Sequence, residues 1–330
     1  MRKYAIVPKT IRHNSMTLTE LKYIVAVARE KHFGHAAEAC FVAQPTLSVA
    51  IKKLEDELGV VIFERGGTEV SVTPLGAQIV AQAERVLEQT AAIKEIANQN
   101  KDPLSGPLRL GIIYTIGPYL LPSLVKTMIE RVPQMPLILQ ENFTTRLIEL
   151  LRQGELDAAI MALPFPEHGL NVLPLYDEEF MVALPRQHKW AERKEIDARE
   201  LKTETMLLLG NGHCFRDQVL EVCPEMSRFS TNGDGIARTF EGSSLETIRH
   251  MVSSGIGVTV LPRASIPDAN TRDGMVRYVP FVAPAPSRRV VIAWRKSFTR
   301  QAAIDAVHQA VLACNLNGVQ MLTNETAITA

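Results

Sequence analysis

Cys214 and Cys223 stand nine positions apart in the stretch GNGHCFRDQVLEVCP, residues 210–224. Cys214 follows His213 and lies two residues before Arg216, whereas Cys223 ends an apolar run and abuts Pro224. LLLG reads as a strand, NGH as a turn and CFRDQVLEV as a helix beginning near Cys214. A thiol at a helix N-terminus, beside a histidine and near an arginine, is expected to ionise more readily than a free one. Cys223 falls at or past the end of that helix, because Pro224 disfavours helical geometry in the residue before it.

If the segment between the cysteines is helical, nine residues at ~1.5 Å rise hold their Cα atoms roughly 13 Å apart. A disulfide spans about 4.4 to 6.8 Å. A bridge therefore requires the helix to unwind, which would couple oxidation to a change of shape. Other chemistries compete. Zinc sites are built from closely spaced ligands such as C-x-x-C pairs, and none occurs. His32, His35 and Cys40 fall in a separate helical region. A cysteine hydrolase needs a base and an oxyanion hole; His213 could be the base, but no nucleophile signature accompanies it. On these residues alone, inert packing thiols and a redox pair both remain open.

The chain has 330 residues, enough for two or three domains with their own cores. Lys plus Arg and Asp plus Glu both number 36, so no global field announces a nucleic-acid partner, and any such partner must be read from local placement. No apolar run approaches the ~18–20 residues of a membrane span. The first fifteen residues carry Arg2, Lys3, Lys9 and Arg12 without an apolar segment, and read as a disordered extension rather than a secretory signal. A cytoplasmic location follows, where thiols stay reduced by default. Cys40 and Cys314 are taken as packing residues.

From Met16 the elements become regular. Leu21, Ile24, Val25 and Ala28 make one helical face, and HAAEACF is a second short helix. In VAQPTLSVAIKKLEDELG, Pro45 suits a first turn, Leu47, Ile51, Leu54 and Leu58 form a core stripe, and Gly59 stops the helix. Thr46, Ser48, Val49, Lys52 and Lys53 lie opposite that stripe. Short hydroxyls and methyls with cations further along suit a helix in a major groove, although a solvated face gives the same pattern. VIFERGGTEVSVTPLG follows as a hairpin around Gly66 and Gly67.

This order, with AAEACFVAQPTLSVAIKKLEDELGVVIFER at its centre, resembles the winged helix-turn-helix of LysR-type transcription regulators over residues 16 to 76. The resemblance implies that Gln44, Pro45, Thr46, Ser48 and Lys52 face double-stranded promoter DNA, with Arg65 near a phosphate. The chain departs from the family at the wing tip, which reads Gly66, Gly67, Thr68 and Glu69 instead of carrying Arg or Lys. Residues 16–100 hold eight Lys or Arg against eleven Asp or Glu. Weak non-specific DNA binding with a shallow salt dependence is expected.

Ile79, Ala83, Val86, Thr90, Ile93 and Ala97 alternate in steps of four and three, a heptad seam that predicts pairing with a second copy. A single amphipathic helix lying on its own domain gives the same spacing. NKDPLSGP then breaks the helix. From residue 107 strand-like and helical runs alternate, which predicts a mostly parallel sheet. LRLGII, PLILQE, DAAIMAL, EEFMVALP, TMLLLG, RTFEG, IGVTVLP and RVVIAW read as strands, with a last helix from about residue 300. Ligands bind at the carboxyl ends of strands in such sheets, and Thr115 and Thr144 sit there, where helix capping is the plainer role.

SSLETIRHMVSSGIGVTVLP is similar to the LysR regulatory domain, whose fold is like that of periplasmic binding proteins. The implied chain is an α+β multi-domain protein. A winged helix-turn-helix spans 16–74, and a linker or dimerisation helix with a hinge spans 75–104. A two-lobed α/β regulatory domain spans 105–330, with lobe I at about 105–165 plus 284–315 and lobe II at about 166–283. GHCFRDQ with Cys223, GPYLLP and SSLET together resemble the peroxide-sensing branch of the family, from about 16 to 313. That resemblance implies that Cys214 reacts with hydrogen peroxide and Cys223 resolves the product to a disulfide. It also implies that Thr115, Thr144 and His213 line the peroxide pocket, with Arg216 nearby.

The expected partners are promoter DNA, hydrogen peroxide, further copies of the chain as a dimer or tetramer, and a cellular thiol reductant. No cofactor, metal or membrane is expected. The chain reads as a sensor rather than an enzyme such as a thiol peroxidase. The alternative is a LysR-type regulator that binds a small organic effector between its lobes, with non-sensing cysteines.

Overall fold

The computed structural model describes residues 16–64, 70–98, 102–222, 240–242, 244–267 and 274–322. Cys223, Arg65, the wing tip and the first fifteen residues lie outside them. The chain divides into two compact units between Lys94 and Glu95.

In the first unit, helix α1 (Leu18–Glu30) opens with a reciprocal cap between Thr17 and Glu20. Burial pushes the Glu20 carboxyl up, but the Thr17 donors and Lys53 outweigh it and hold its pKa below the usual range. Helix α2 (Phe33–Ala39) starts and ends two residues before HAAEACF predicts, because the His32 ring accepts from the Gly34 and His35 amides and caps it there. Helix α3 (Gln44–Leu58) carries Pro45 in its first turn and stops at Gly59 in the left-handed region, φ 68°. Leu47, Ile51 and Leu54 are buried as the stripe requires. Leu58 is exposed instead, since the last turn runs beyond the three-helix core.

Strands β1 (Phe63–Glu64) and β2 (Ser71–Val72) pair antiparallel as the base of the wing. The Glu55 carboxylate of α3 accepts from the amides of Ile62 at 2.7 Å and Phe63 at 3.1 Å, tying wing to helix. Helix α4 (Pro74–Asn98) rests its first half on this unit through buried Val80 and Ala83, with Ile79, Val86 and Leu87 partly covered. Ile93, further along the seam, is exposed.

The second unit runs β3 (Leu108–Ile113), α5 (Gly117–Arg131), β4 (Leu137–Asn142), α6 (Thr144–Arg152), β5 (Ala158–Ala162) and β6 (Leu170–Pro185). It continues with β7 (Leu207–Leu209), α7 (Cys214–Val222), β8 (Phe240–Gly242), α8 (Leu245–Ser253) and β9 (Thr259–Pro262). It closes with β10 (Val276–Pro280), β11 (Ser287–Arg295), α9 (Gln301–Leu312) and β12 (Val319–Met321). Strand β6 starts eight residues before EEFMVALP predicts, and β10 and β12 carry too little alternation to have been read from sequence.

The main sheet has the order β10-β6-β11-β5-β3-β4, with β9 and β12 also on β6. A mostly parallel sheet is not what forms. Only β3 with β4 and with β5 is parallel; the ladders of β6 with β9, β10, β11 and β12, and of β11 with β5, are antiparallel. Parallel pairing needs a crossover helix, which α5 and α6 supply for the first three strands. The chain then passes directly into β6 and later returns through β11, so those long strands run against each other.

Two hydrophobic cores result. The first gathers β3, β5, β11, α5, α6 and α9 with Leu170, Leu175 and Tyr176 of β6. The second gathers Phe180, Val182 and Leu184 of the same strand with β7, α7, α8, β9 and β10. Strand β6 thus belongs to both. Among the described residues no helix is long and apolar enough to cross a membrane.

Candidate functional site

Cys214 is the first residue of α7, as the turn residues before it predict. Gly212 makes that turn in the left-handed region, φ 96°, with the Phe143 ring packed where a side chain would begin. Three strand ends meet here. Ile113 ends β3 and is followed by Tyr114 and Thr115; Asn142 ends β4 and is followed by Phe143 and Thr144; Gly212, His213 and Cys214 come after β7. Together they line a small, partly open cavity of ≈ 10 Å³, room for a molecule about the size of water. Ile113 pairs with Asn142 in the parallel ladder, so Thr115 and Thr144 each stand two residues beyond the same rung.

Neither threonine caps a helix. The caps of α5 and α6 are Ile116 and Phe143, and neither helix has a side-chain cap bond. The Thr115 hydroxyl accepts from Arg288 Nη1 at 2.8 Å, and its carbonyl accepts from Nη2 at 3.1 Å. A hydroxyl that accepts from a cation keeps its own proton for another acceptor. The Thr144 hydroxyl is buried and has no partner among the described residues. His213 is buried, edge-on to Phe143 at 4.9 Å and to Tyr114 at 5.9 Å between ring centroids. The pocket therefore joins a thiol, two hydroxyls and an imidazole behind aromatic walls.

Arg288 and Glu178 were not found from sequence. The Glu178 carboxylate accepts from Arg288 Nε at 2.7 Å and from the Ala264 amide at 3.1 Å, and the guanidinium lies 5.1 Å from the Phe215 ring centroid. Both charged side chains are almost completely buried. The available signal was parity: Arg288 shares the inward face of β11 with Val290, and a charge there must have an interior partner.

Arg216, expected nearby, does not line the cavity; its guanidinium donates to the Asn211 side-chain oxygen. Further along α7, Gln218 Nε2 donates to the Leu163 carbonyl at 2.8 Å. Cys314 is buried, with its thiol donating to the Ala310 carbonyl at 3.2 Å. Cys40 is partly covered, and burial pushes its thiol pKa up against the pull of Arg29 and Lys22. Among the described residues no group of His, Cys, Asp and Glu could hold a metal ion.

In the first unit, Gln44, Pro45, Thr46 and Lys52 are exposed along α3, and Ser48 is half-buried. Val49, 69% exposed, joins them on that face.

Residues 18–77 match the family of bacterial regulatory helix-turn-helix proteins of the lysR family, and residues 101–314 match the LysR substrate binding domain. The chain is 38% identical over 298 residues to the DNA-binding transcriptional dual regulator OxyR of Escherichia coli K12, covering 90% of this chain and 95% of that one. It is also similar to the structure of a full-length OxyR variant from Pseudomonas aeruginosa, with 51% identity, a TM-score of 0.65 and coverage of 92% of this chain and 100% of the other. A hydrogen-peroxide-bound OxyR mutant from Corynebacterium glutamicum matches at 32% identity and a TM-score of 0.59, over 91% of this chain and 93% of its own.

Proposed function

Because the chain belongs to the LysR family of transcription regulators and is an OxyR-type sensor of hydrogen peroxide, we propose that Cys214 is the thiol peroxide oxidises and Cys223 the one that resolves it. The observation that carries this reading is the small pocket joining Cys214 to Thr115, Thr144 and His213. The Cys214 thiolate attacks one peroxide oxygen, the O–O bond breaks, and sulfenic acid forms as hydroxide departs and is protonated to water. Cys223 then attacks the sulfenic sulfur, releasing a second water and leaving the disulfide. Two thiols lose two electrons and one peroxide becomes two waters.

Thiolate formation alone gives modest acceleration, since nucleophilicity falls as the thiol becomes more acidic. The larger contribution comes from donors aimed at the departing hydroxide, each worth about 10²–10³ in rate in comparable sites. The Thr144 hydroxyl, which has no competing partner among the described residues, and the Thr115 proton, left free by Arg288, fill that role with His213.

Helix α7 must unwind for the two sulfurs to meet, and its Gln218 bond to Leu163 breaks as it does. The refolded segment changes how the paired helix-turn-helix units engage promoter DNA. Two chains pair through α4, and two dimers assemble into a tetramer. The regulatory unit serves as a two-lobed fold of the periplasmic-binding-protein kind, and a thiol reductant in the cytoplasm returns it to the reduced state. Activity is limited to cycles of oxidation and reduction, so the chain is a sensor rather than an enzyme.

The test is to treat reduced protein with a small excess of peroxide and map its thiols by peptide mass spectrometry. A 214–223 disulfide within seconds, with Cys40 and Cys314 free, is the expected result. Four thiols still reduced at micromolar peroxide would sink the reading.

A further inference from the structure

Arg300 precedes α9, and its guanidinium is committed to one stretch of backbone. Nε donates to the Pro103 carbonyl at 3.1 Å, Nη1 to Pro107 at 3.0 Å, and Nη2 to Ser105 at 3.0 Å and Gly106 at 3.5 Å. Among the described residues it pairs with no carboxylate. The stretch it holds connects, in sequence, the end of α4 at Asn98 to the start of β3 at Leu108. This is the segment that joins the regulatory unit to the long helix along the chain.

The segment has its own turn, with the Leu104 amide on the Asp102 carboxylate at 3.0 Å and the Ser105 hydroxyl on the Asp102 carbonyl at 2.8 Å. Gly106 takes a left-handed φ of 77°, and its amide donates to Gln134 at 2.8 Å. These contacts shape the turn but leave the carbonyls of residues 103 and 105–107 facing a common partner. A planar fork with five donors can satisfy several carbonyls at once, which an ammonium cannot do in the same geometry.

The clamp is mounted on a firm base. Strand β11 lies inside the main sheet between β5 and β6, and its last residue, Arg295, is buried with Nη1 donating to the carbonyls of Leu151 at 2.8 Å and Leu156 at 2.5 Å. Five residues later the chain reaches Arg300. At its other end the same strand carries Arg288, which holds the pocket threonine.

We propose that Arg300 is a positioning residue that fixes where the chain leaves the regulatory unit, so that oxidation alters DNA binding only while this clamp holds. The inference rests on the redox reading above. Without the clamp, the exit turn would move independently of the sheet, and a change at the pocket would be absorbed there.

The test uses full-length wild type, Arg300→Gln and Arg300→Lys, with a fluorescent duplex selected from a random-sequence pool by the reduced wild type. Disulfide formation under peroxide and DNA affinity in both redox states are measured for each. The expected Arg300→Gln protein oxidises at the wild-type rate but loses about fivefold or more of the difference in affinity between states. Arg300→Lys, which keeps the charge but not the fork, should lose part of it and covers the case in which the glutamine variant does not fold. Wild-type coupling in a folded variant overturns the clamp, as does a variant that no longer forms the disulfide. If wild type itself neither oxidises nor changes affinity, the redox reading fails and takes the clamp with it.

Discussion

Arg288 donates to the Thr115 hydroxyl at 2.8 Å across 173 positions of sequence, with both side chains buried. The two pocket threonines thereby differ in what their removal should do. Thr115→Val strands a buried charged donor and should cost about 1–3 kcal/mol of stability. Thr144→Val removes a hydroxyl without a partner among the described residues and should leave stability unchanged or slightly higher. Both should slow peroxide capture, by about 100- to 1,000-fold if each donates to the departing hydroxide. Denaturant titrations beside stopped-flow oxidation separate the two effects; equal stability losses would show that the Thr144 hydroxyl is paired after all.

Glu178 gives a second prediction. Arg288→Met leaves its carboxylate buried beside the Ala264 amide without its cation, and such broken pairs cost about 3–5 kcal/mol. Arg288→Met with Glu178→Gln should recover much of the loss, because the uncompensated charge is gone. A double variant as unstable as the single one would mean that packing around Phe215, rather than charge, sets the cost.

His308 sets a pH dependence away from the pocket. Burial pushes its imidazole pKa below the ordinary value of 6.5, against weaker upward pulls from Asp305 and the Pro174 backbone. As pH falls below 6.5 the unfolded chain gains this proton while the folded chain resists it, so stability drops. The contribution is intact above 6.5 and declines towards the lower folded value. Unfolding midpoints at about pH 5.5 and about pH 7.5 should differ less in His308→Phe than in wild type; an unchanged difference would assign the slope to other groups.

On DNA, Lys52 and Val49 should separate affinity from sequence preference. Lys52→Ala should weaken binding to all duplexes alike and reduce the logarithmic salt slope by about one. Val49→Ser should instead alter which bases are preferred, since an exposed branched methyl pair in a major groove favours thymine methyls. Affinities across a salt series, measured on a selected duplex and its single-base variants, report both. A sequence-selective effect of Lys52→Ala would contradict its phosphate role.

The elements that position the site were legible because their signals are local. Pro45 and Gly59 bracket α3, and the Gly212 turn places Cys214 at the head of α7. The threonines were found by their place after strands, although helix capping was the plainer reading, and the caps proved to be Ile116 and Phe143 instead. Arg288 and Glu178 lie 110 positions apart, and nothing in either neighbourhood names the other. The antiparallel run of β6 and β11 was missed for a similar reason. Alternation marks a strand, but its direction relative to neighbours depends on where the chain crosses over.

The ≈ 10 Å³ cavity has a consequence for selectivity. Its walls are aromatic rings and backbone at strand ends, and close-packed surroundings of this kind yield little to an added methyl. A pocket this small is expected to favour the smallest hydroperoxide over those that carry an alkyl tail, which the rates of Cys214 oxidation by hydrogen peroxide and by an alkyl hydroperoxide would show.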